Sequence, residues 1–448
     1  MLSAGIEYAT EQNDRAIIEV YGQELNEKTY AICKSDMIIK GHNAANIKFG
    51  NSFTTDGLAG EKFDYMLSNP PFGVEWKKVE ESIRDENNNL GYAGRFGAGL
   101  PRISDGSLLF LQHMLAKRKE TEDGTRIGII FNGSPLFSGG AGSGESNIRR
   151  WIIENDWLEA IIAMPDQLFY NTGIYTYIWV VTNRKPIKRR GKVQLINAVG
   201  EFVKKRKSLG NKRNEIGDGE EGRPDQIAEI TRIYGDFAES STCKIFDNSD
   251  FGYRRITIER PLRMNFTISP ERIARLKTAR LPMDVINQAI EILNHSLESG
   301  QQQPLYKSLP AFESAVTALW DQTGYSIPKP KQLEMIFMTM GDKDETAEIM
   351  TVDGTSVADP DLRDYENVPL KADIREYFER EVLPYAPDAW INETVRDEQD
   401  GEVGIVGYEI PFTRHFYEYL NPPSISEIVS KITELENQIQ GMLGKIIR

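Results

Sequence analysis

Between residues 16 and 199 the chain alternates short apolar runs with amphipathic ones, and this alternation limits the possible folds more than any other feature. "AIIEVYGQE" reads as a strand, "NEKTYAICKSDMIIKG" as a helix and "NIKFGNSF" as a short strand. A buried strand, "FDYMLSNPPF", comes next, then a Gly-rich loop through "GYAGRFGAGLPRISDG". The helix "SLLFLQHMLAKRK", the strand "RIGIIFNGSPLF", the helix "ESNIRRWIIEN" and the strands "WLEAIIAMP", "TYIWVVTNR" and "VQLINAV" complete the series. Strands interleaved with helices predict an α/β layer fold. The segment 139–144, "GGAGSG", lacks the Lys of a phosphate loop and does not directly follow a strand, so it reads as a flexible connection into a helix whose first turn carries Glu145.

Beyond residue 213 the character changes. We expect a core over 1–213, a polar linker and a β-hairpin-like joint over 214–266, an α-rich region over 267–420 and a terminal helix over 421–448. Residues 341–367 are acidic and rich in helix breakers, which predicts a surface excursion or mobile loop. In the terminal helix, Pro422-Pro423 block backward extension and Ser424 with Glu427 forms a capping-box pattern. Ile425, Ile428, Ile432, Leu435, Ile439, Met442 and Ile446 then recur at spacings of three and four, a heptad seam that can pack on its own domain or on a partner helix.

Cys33 and Cys243 are far apart, and the four His are scattered, so neither a metal site nor a disulfide framework is expected. A reducing cytoplasm fits, and no apolar run approaches a membrane span. The net charge of −14 argues against a free-standing nucleic-acid binder, yet it is unevenly spread. From Arg184 to Arg213 there are twelve Lys/Arg, among them Lys188, Arg189, Arg190, Lys204, Lys205 and Arg206, against the single acid Glu201. Such a run is either a solvated loop or a contact for a phosphate backbone.

Asn69-Pro70-Pro71-Phe72 closes the fourth apolar run as a rigid turn. Asn69 offers a side-chain carbonyl, Pro70 a backbone carbonyl held by the fixed φ of consecutive prolines, and Phe72 a flat apolar face. With this tetrapeptide stand "VYGQELNEKTYAICKSDMIIKG", "GRFGAGLPRISDGSLLFLQHML", "FNGSPLFSGGAGSGESNIRRWIIENDWLEAIIAMPDQLFYNTGIYTYIWVVTN" and the heptad helix. In that order these blocks resemble the modification subunit of type I restriction–modification systems, which are DNA adenine-N6 methyltransferases.

The resemblance implies a Rossmann-like methyltransferase sheet and S-adenosylmethionine as methyl donor. Adenine N6 in double-stranded DNA would be the acceptor. The implied partners are DNA, a specificity subunit, a second copy of the modification subunit and, optionally, a nuclease subunit. Asn69 and Pro70 then aim two acceptors at the adenine amine and draw its lone pair out of conjugation, with Asn69 also bordering the donor. Phe72, and Phe169 in "QLFYNTGI", stack on the extruded base. Glu24 matches the acid on the donor's ribose, and Asn51 falls where many relatives have an Asp contacting the donor's adenine.

Relatives carry a Gly-rich donor loop that ends just before a Met-Leu, whereas this sequence starts at Met1-Leu2. The expectation is a chain lacking that loop, its strand and an N-terminal helical domain, with weak donor binding. The alternative is a catalytically inactive scaffold subunit that docks a specificity protein. The tetrapeptide alone does not separate adenine from an RNA base or a glutamine amide; the other blocks favour DNA adenine.

Overall fold

The computed structural model describes residues 1–298, 303–417 and 424–446, with only the backbone described for residues 221, 441 and 443–446. Strands β1 (Gly22–Glu24) and β2 (Ile47–Phe49) pair in parallel, flanked by helices α1 (Leu2–Gln12) and α2 (Glu27–Ile39). Asn26 caps α2 by accepting from the Thr29 amide at 3.0 Å. Strand β3 (Tyr65–Ser68) leads through α3 (Glu80–Leu90) and α4 (Ser107–Ala116) to β4 (Arg126–Phe131). Helices α5 (Ser134–Phe137) and α6 (Gly144–Glu154), then β5 (Leu158–Met164), β6 (Thr176–Thr182) and β7 (Lys192–Asn197), follow in turn. A hairpin of β8 (Val203–Leu209) and β9 (Lys212–Glu215), helix α7 (Gln226–Asp236) and strand β10 (Cys243–Asp247) complete this half.

The central sheet has the order β10-β7-β5-β6-β4-β3. Strands β3, β4, β5 and β7 run in one direction, while β6 and β10 run against them, so the layer is a mixed α/β sheet. Its middle strand, β5, is buried at every residue, which is why "LEAIIAM" is continuously apolar apart from Glu159. Ile127, Ile129 and Phe131 of β4, with Trp179 of β6, pack against Ile148 and Ile152 of α6.

Two sequence expectations change here. The run containing β3 is not a buried strand: β3 is an edge with β4 as its one partner among the described residues, and Tyr65 is 76% exposed. No ladder joins β3 to the β1–β2 pair. Nor is 139–144 loose. The Arg149 guanidinium, fully buried, donates to the carbonyls of Pro135, Ser138, Gly139 and Tyr408, and Arg255 to that of Ala141. A Cβ on Gly144 would meet the Leu100 carbonyl oxygen at 1.8 Å, so the approach of α6 requires glycine there.

The C-terminal half also departs from expectation. The supposed linker holds α7 and β10, and β10 extends the central sheet through β7. Instead of folding back as a hairpin joint, β11 (Gly252–Glu259) and β12 (Met264–Phe266) find distant partners. Helices α8 (Pro270–Arg275), α9 (Met283–Glu298), α10 (Leu309–Asp321) and α11 (Pro330–Thr339) bury Phe266, Phe312, Trp320 and Phe337 in a second core. The acidic stretch after them is structured. β13 (Gly341–Lys343) pairs β12, and β14 (Thr351–Val352) with β15 (Thr355–Ser356) forms a small hairpin. β16 (Asp364–Pro369) pairs β11, which also takes β17 (Trp390–Ile391) and β18 (Ile405–Tyr408). The expected α-rich region is therefore α plus β, with α12 (Ile374–Glu381) and the short α13 (Phe412–His415) beside the strands.

The last helix, α14 (Ile425–Ile446), opens with the expected reciprocal cap between Ser424 and Glu427, and its seam from Ile425 to Met442 is exposed. Pro422 and Pro423, and the side chain of Ile446, lie outside the described residues.

Candidate functional site

The carboxyl ends of β3, β4, β5 and β7 share one edge of the sheet, the edge where α/β layers hold ligands. Asn69-Pro70-Pro71-Phe72 leaves β3 at this edge. Asn69 is exposed, and among the described residues its carboxamide takes no hydrogen bond, whereas Pro70 is buried and anchors the turn. Three strands away in the sheet, the segment after β5 carries Phe169. The Phe72 and Phe169 rings meet edge-to-face, with centroids 6.0 Å apart and planes at 83°. A base sandwiched between parallel rings needs about 7 Å, two successive contacts of about 3.5 Å. Entry of a base therefore requires one ring to turn and the pair to part by roughly an ångström.

The segment behind the tetrapeptide is firmly held. Trp76 is buried, and its indole donates to the Arg102 carbonyl at 2.9 Å. It packs with Phe53, Ile83, Phe96 and Leu109, so the loops following β2 and β3 share one small core. Arg95, in the Gly-rich loop, clamps this core: it donates to the carbonyls of Ser52 and Phe53 at 2.8 Å each and pairs with Glu86 at 2.6 Å. Its guanidinium also lies 3.1 Å from His113 Nδ1. Arginine has no acceptor, so that nitrogen accepts and the imidazole is neutral. Burial, with the Arg95 and Lys117 cations, holds its pKa down at about 4. Sequence reading missed Arg95 and Trp76, because their partners lie tens of residues away.

Glu24 and Asn51 end β1 and just follow β2, at the carboxyl edge of that parallel pair. Glu24 Oε1 accepts from the Asn26 amide at 2.7 Å, and Asn51 Oδ1 from the Phe53 amide at 2.9 Å. Each retains an oxygen lone pair for an outside donor. They stand on a sheet separate from the one that carries Asn69, tied to it by packing rather than by a ladder.

The basic run divides into two parts. Lys188, Arg189 and Arg190 precede β7 and so sit at the amino edge of the sheet, about 20 Å along the strand from the edge bearing Asn69. Arg189 cannot serve as a phosphate contact. It is buried, donates to Gln194 Oε1 at 2.7 Å and to the Tyr234 carbonyl, and stands 3.5 Å from the buried carboxylate of Glu159. Lys188 donates to the Gly235 carbonyl at 3.1 Å. The remainder, from Lys204 to Arg213, forms the β8–β9 hairpin that follows β7 at the edge bearing Asn69. There Lys205 is paired with Glu215, whose pKa the Lys205 hydrogen bond lowers.

Asn69 thus stands exposed at a strand's carboxyl end, with the Phe72 and Phe169 rings in contact beside it. The model of the N-6 DNA Methylase family matches residues 1–248, and the chain belongs to that family. It is 31% identical over 191 residues to the type I restriction enzyme MjaVII methylase subunit of Methanocaldococcus jannaschii, covering 42% of this chain and 31% of that one. To the HindI methylase subunit of Haemophilus influenzae it is 32% identical over 183 residues, 40% of this chain and 38% of the relative. The chain thus spans about a third of the length of the curated relatives it matches. Among solved structures, the type I restriction-modification methyltransferase subunit of Streptococcus thermophilus aligns at a TM-score of 0.42, with 22% identity over 51% of this chain and 44% of that one.

Among the described residues no helix is long and apolar enough to cross a membrane, and no three His, Cys, Asp or Glu side chains are placed to hold a metal ion.

Proposed function

We propose that this chain carries the transfer centre of a cytoplasmic DNA methyltransferase that moves a methyl group from S-adenosylmethionine to adenine N6, as the modification subunit of a type I restriction–modification complex. One observation carries the reading: within a chain of this family, Asn69 stands exposed beside the Phe72–Phe169 pair, its carboxamide without a hydrogen bond among the described residues. In this scheme the Asn69 and Pro70 oxygens would accept from the adenine amine and hold its lone pair toward the donor's methyl group. The amine would shed its proton after transfer, so no general base is demanded of the chain. Phe72 and Phe169 hold the extruded base. Glu24 and Asn51 bind the donor's ribose and adenine, with Asn69 bordering the donor. When bound, S-adenosylmethionine supplies the electrophilic methyl; the residues supply orientation and preset acceptors.

Because Glu24 and Asn51 stand on a sheet with no ladder to β3, we further propose that the chain by itself holds the donor weakly. Calorimetry with S-adenosylmethionine tests this, and micromolar binding by the isolated chain would overturn it. A second role rests on α14. Its exposed seam of Ile425, Ile428, Ile432, Leu435, Ile439 and Met442 fits a helix-pairing surface for the specificity subunit, alongside a second modification subunit and, in a restricting complex, a nuclease subunit. This docking role also stands alone as the scaffold reading, which methyl transfer by the assembled complex would exclude.

A further inference from the structure

The β8–β9 hairpin is fastened to the turn that carries Phe169. The Asn211 amide donates to the Tyr170 carbonyl at 2.9 Å, and the Arg213 and Asn214 amides donate to the Gln167 carbonyl at 3.0 and 3.1 Å. Asn214, fully buried, adds side-chain bonds to the Asp166 carbonyl and carboxylate at 2.9 and 3.0 Å. Gln167 is held at φ 55°, a left-handed conformation uncommon for a non-glycine residue. At the hairpin tip, Gly210 has φ 62°, and a Cβ there would lie 2.6 Å from the Tyr170 carbonyl oxygen. The tip glycine thus allows the hairpin to seat on this turn.

The surface so placed is cationic. Among the described residues, Lys204, Arg206, Lys207, Lys212 and Arg213 form no ion pair. Aromatic rings lie among them: Lys212 sits over the exposed Tyr170 ring, 5.2 Å from its centroid, and Lys204 over that of Phe202 at 4.9 Å. Basic groups interleaved with open rings suit a nucleic-acid backbone and its unstacked bases. In a chain of net charge −14, unneutralised cations clustered at one end of one strand form a local attractive field rather than a general one. Lysines on an exposed strand also discourage edge-to-edge pairing, but that role does not call for docking against the Phe169 turn.

Resting on the methyltransferase reading above, we infer that the β8–β9 hairpin is a phosphate-binding arm that grips the DNA backbone beside the extruded base. The backbone bonds from Asn211, Arg213 and Asn214 make arm and turn one body, so phosphates held by the arm fix the strand relative to Phe169.

The test is DNA binding by the full chain, followed by fluorescence anisotropy on a labelled duplex of about 30 base pairs between about 50 and 200 mM salt. Replacing Arg206, Lys207 and Arg213 with Ala removes three of the five unpaired cations. The slope of log affinity against log salt should fall in magnitude by about 2 to 3, at roughly 0.9 per lost phosphate contact. The charge-keeping set Arg206→Lys, Lys207→Arg and Arg213→Lys should retain the wild-type slope, and a melting curve establishes that both variants are folded. If wild type and the Ala variant bind with the same slope, the arm is overturned while the methyltransferase reading stands. A loss shared by the charge-keeping set would also overturn it. If the wild-type chain binds no duplex at the lowest salt, both the arm and DNA contact by this chain are overturned.

Discussion

Asn69→Ala separates chemistry from folding. Asn69 is exposed, and its carboxamide has no partner among the described residues, so its removal strands no buried group. Surface changes of this kind stay within about 0.5 kcal/mol, which for a core of this size moves Tm by about 2 °C or less. On the proposed function, in contrast, the transition state loses one of two preset acceptors. Removing one such hydrogen-bonding group from a preorganised site typically costs about 2.7–4 kcal/mol, or roughly 100- to 1000-fold in kcat. Donor affinity should change little, since Glu24 and Asn51 lie on the other sheet. The assay is transfer of labelled methyl from S-adenosylmethionine to DNA by the chain assembled with its specificity subunit. Calorimetry and thermal melting on the same variant accompany it. Turnover within a few-fold of wild type from a folded variant would refute the reasoning, and so would a lost activity that tracks a lowered Tm.

Four further outcomes are expected. Arg150 Nη1 donates to both carboxylate oxygens of the buried Asp397 at 2.9 Å, linking α6 to the segment before β18; Asp397→Ala should cost about 3–5 kcal/mol in denaturant titration. Burial raises the Asp397 pKa, but the Val406 amide and Arg150 outweigh it and hold it below the ordinary 3.8. Its contribution to stability is therefore full above that value and lost as the pH falls through the depressed pKa, so the wild type should lose stability in acid where Asp397→Asn shows less dependence. Replacing Ile432 and Ile439 with Asp should leave the melting curve unchanged, because both are exposed, yet abolish capture of the specificity subunit; undiminished pull-down would dismiss α14 as the docking helix. Phe169→Ala should reduce methyl transfer by at least about tenfold, with little effect on calorimetric donor binding, since it removes one face of the base site; unchanged transfer would place the base elsewhere.

Much of the N-terminal half is legible in the sequence because its signals are local. Short apolar runs foretold β4, β5, β6 and β7, and amphipathic ones helices α2, α4 and α6 close to their observed bounds. The diproline turn after β3 and the Ser424–Glu427 cap are likewise set by neighbouring residues. Burial and pairing are not local. The apolar run of β3 looks like any interior strand, yet among the described residues β3 has one ladder partner and Tyr65 stands in solvent. The supposed joint and acidic excursion became strands because β11 recruits β16 from more than a hundred residues away and β12 recruits β13 across the helices between them.

The basic run shows the division most clearly. Sequence fixes its twelve cations and their order, which is enough to establish a local excess of positive charge. It does not say which of them meet water. Strand β7 carries the chain from one edge of the sheet to the other, so Arg189 ends against Glu159 in the interior while Arg206 and Lys207 end in solvent beside the Phe169 turn. Charge is a property of each residue, but its availability depends on the surroundings supplied by distant parts of the chain, and those exist only once the sheet has formed.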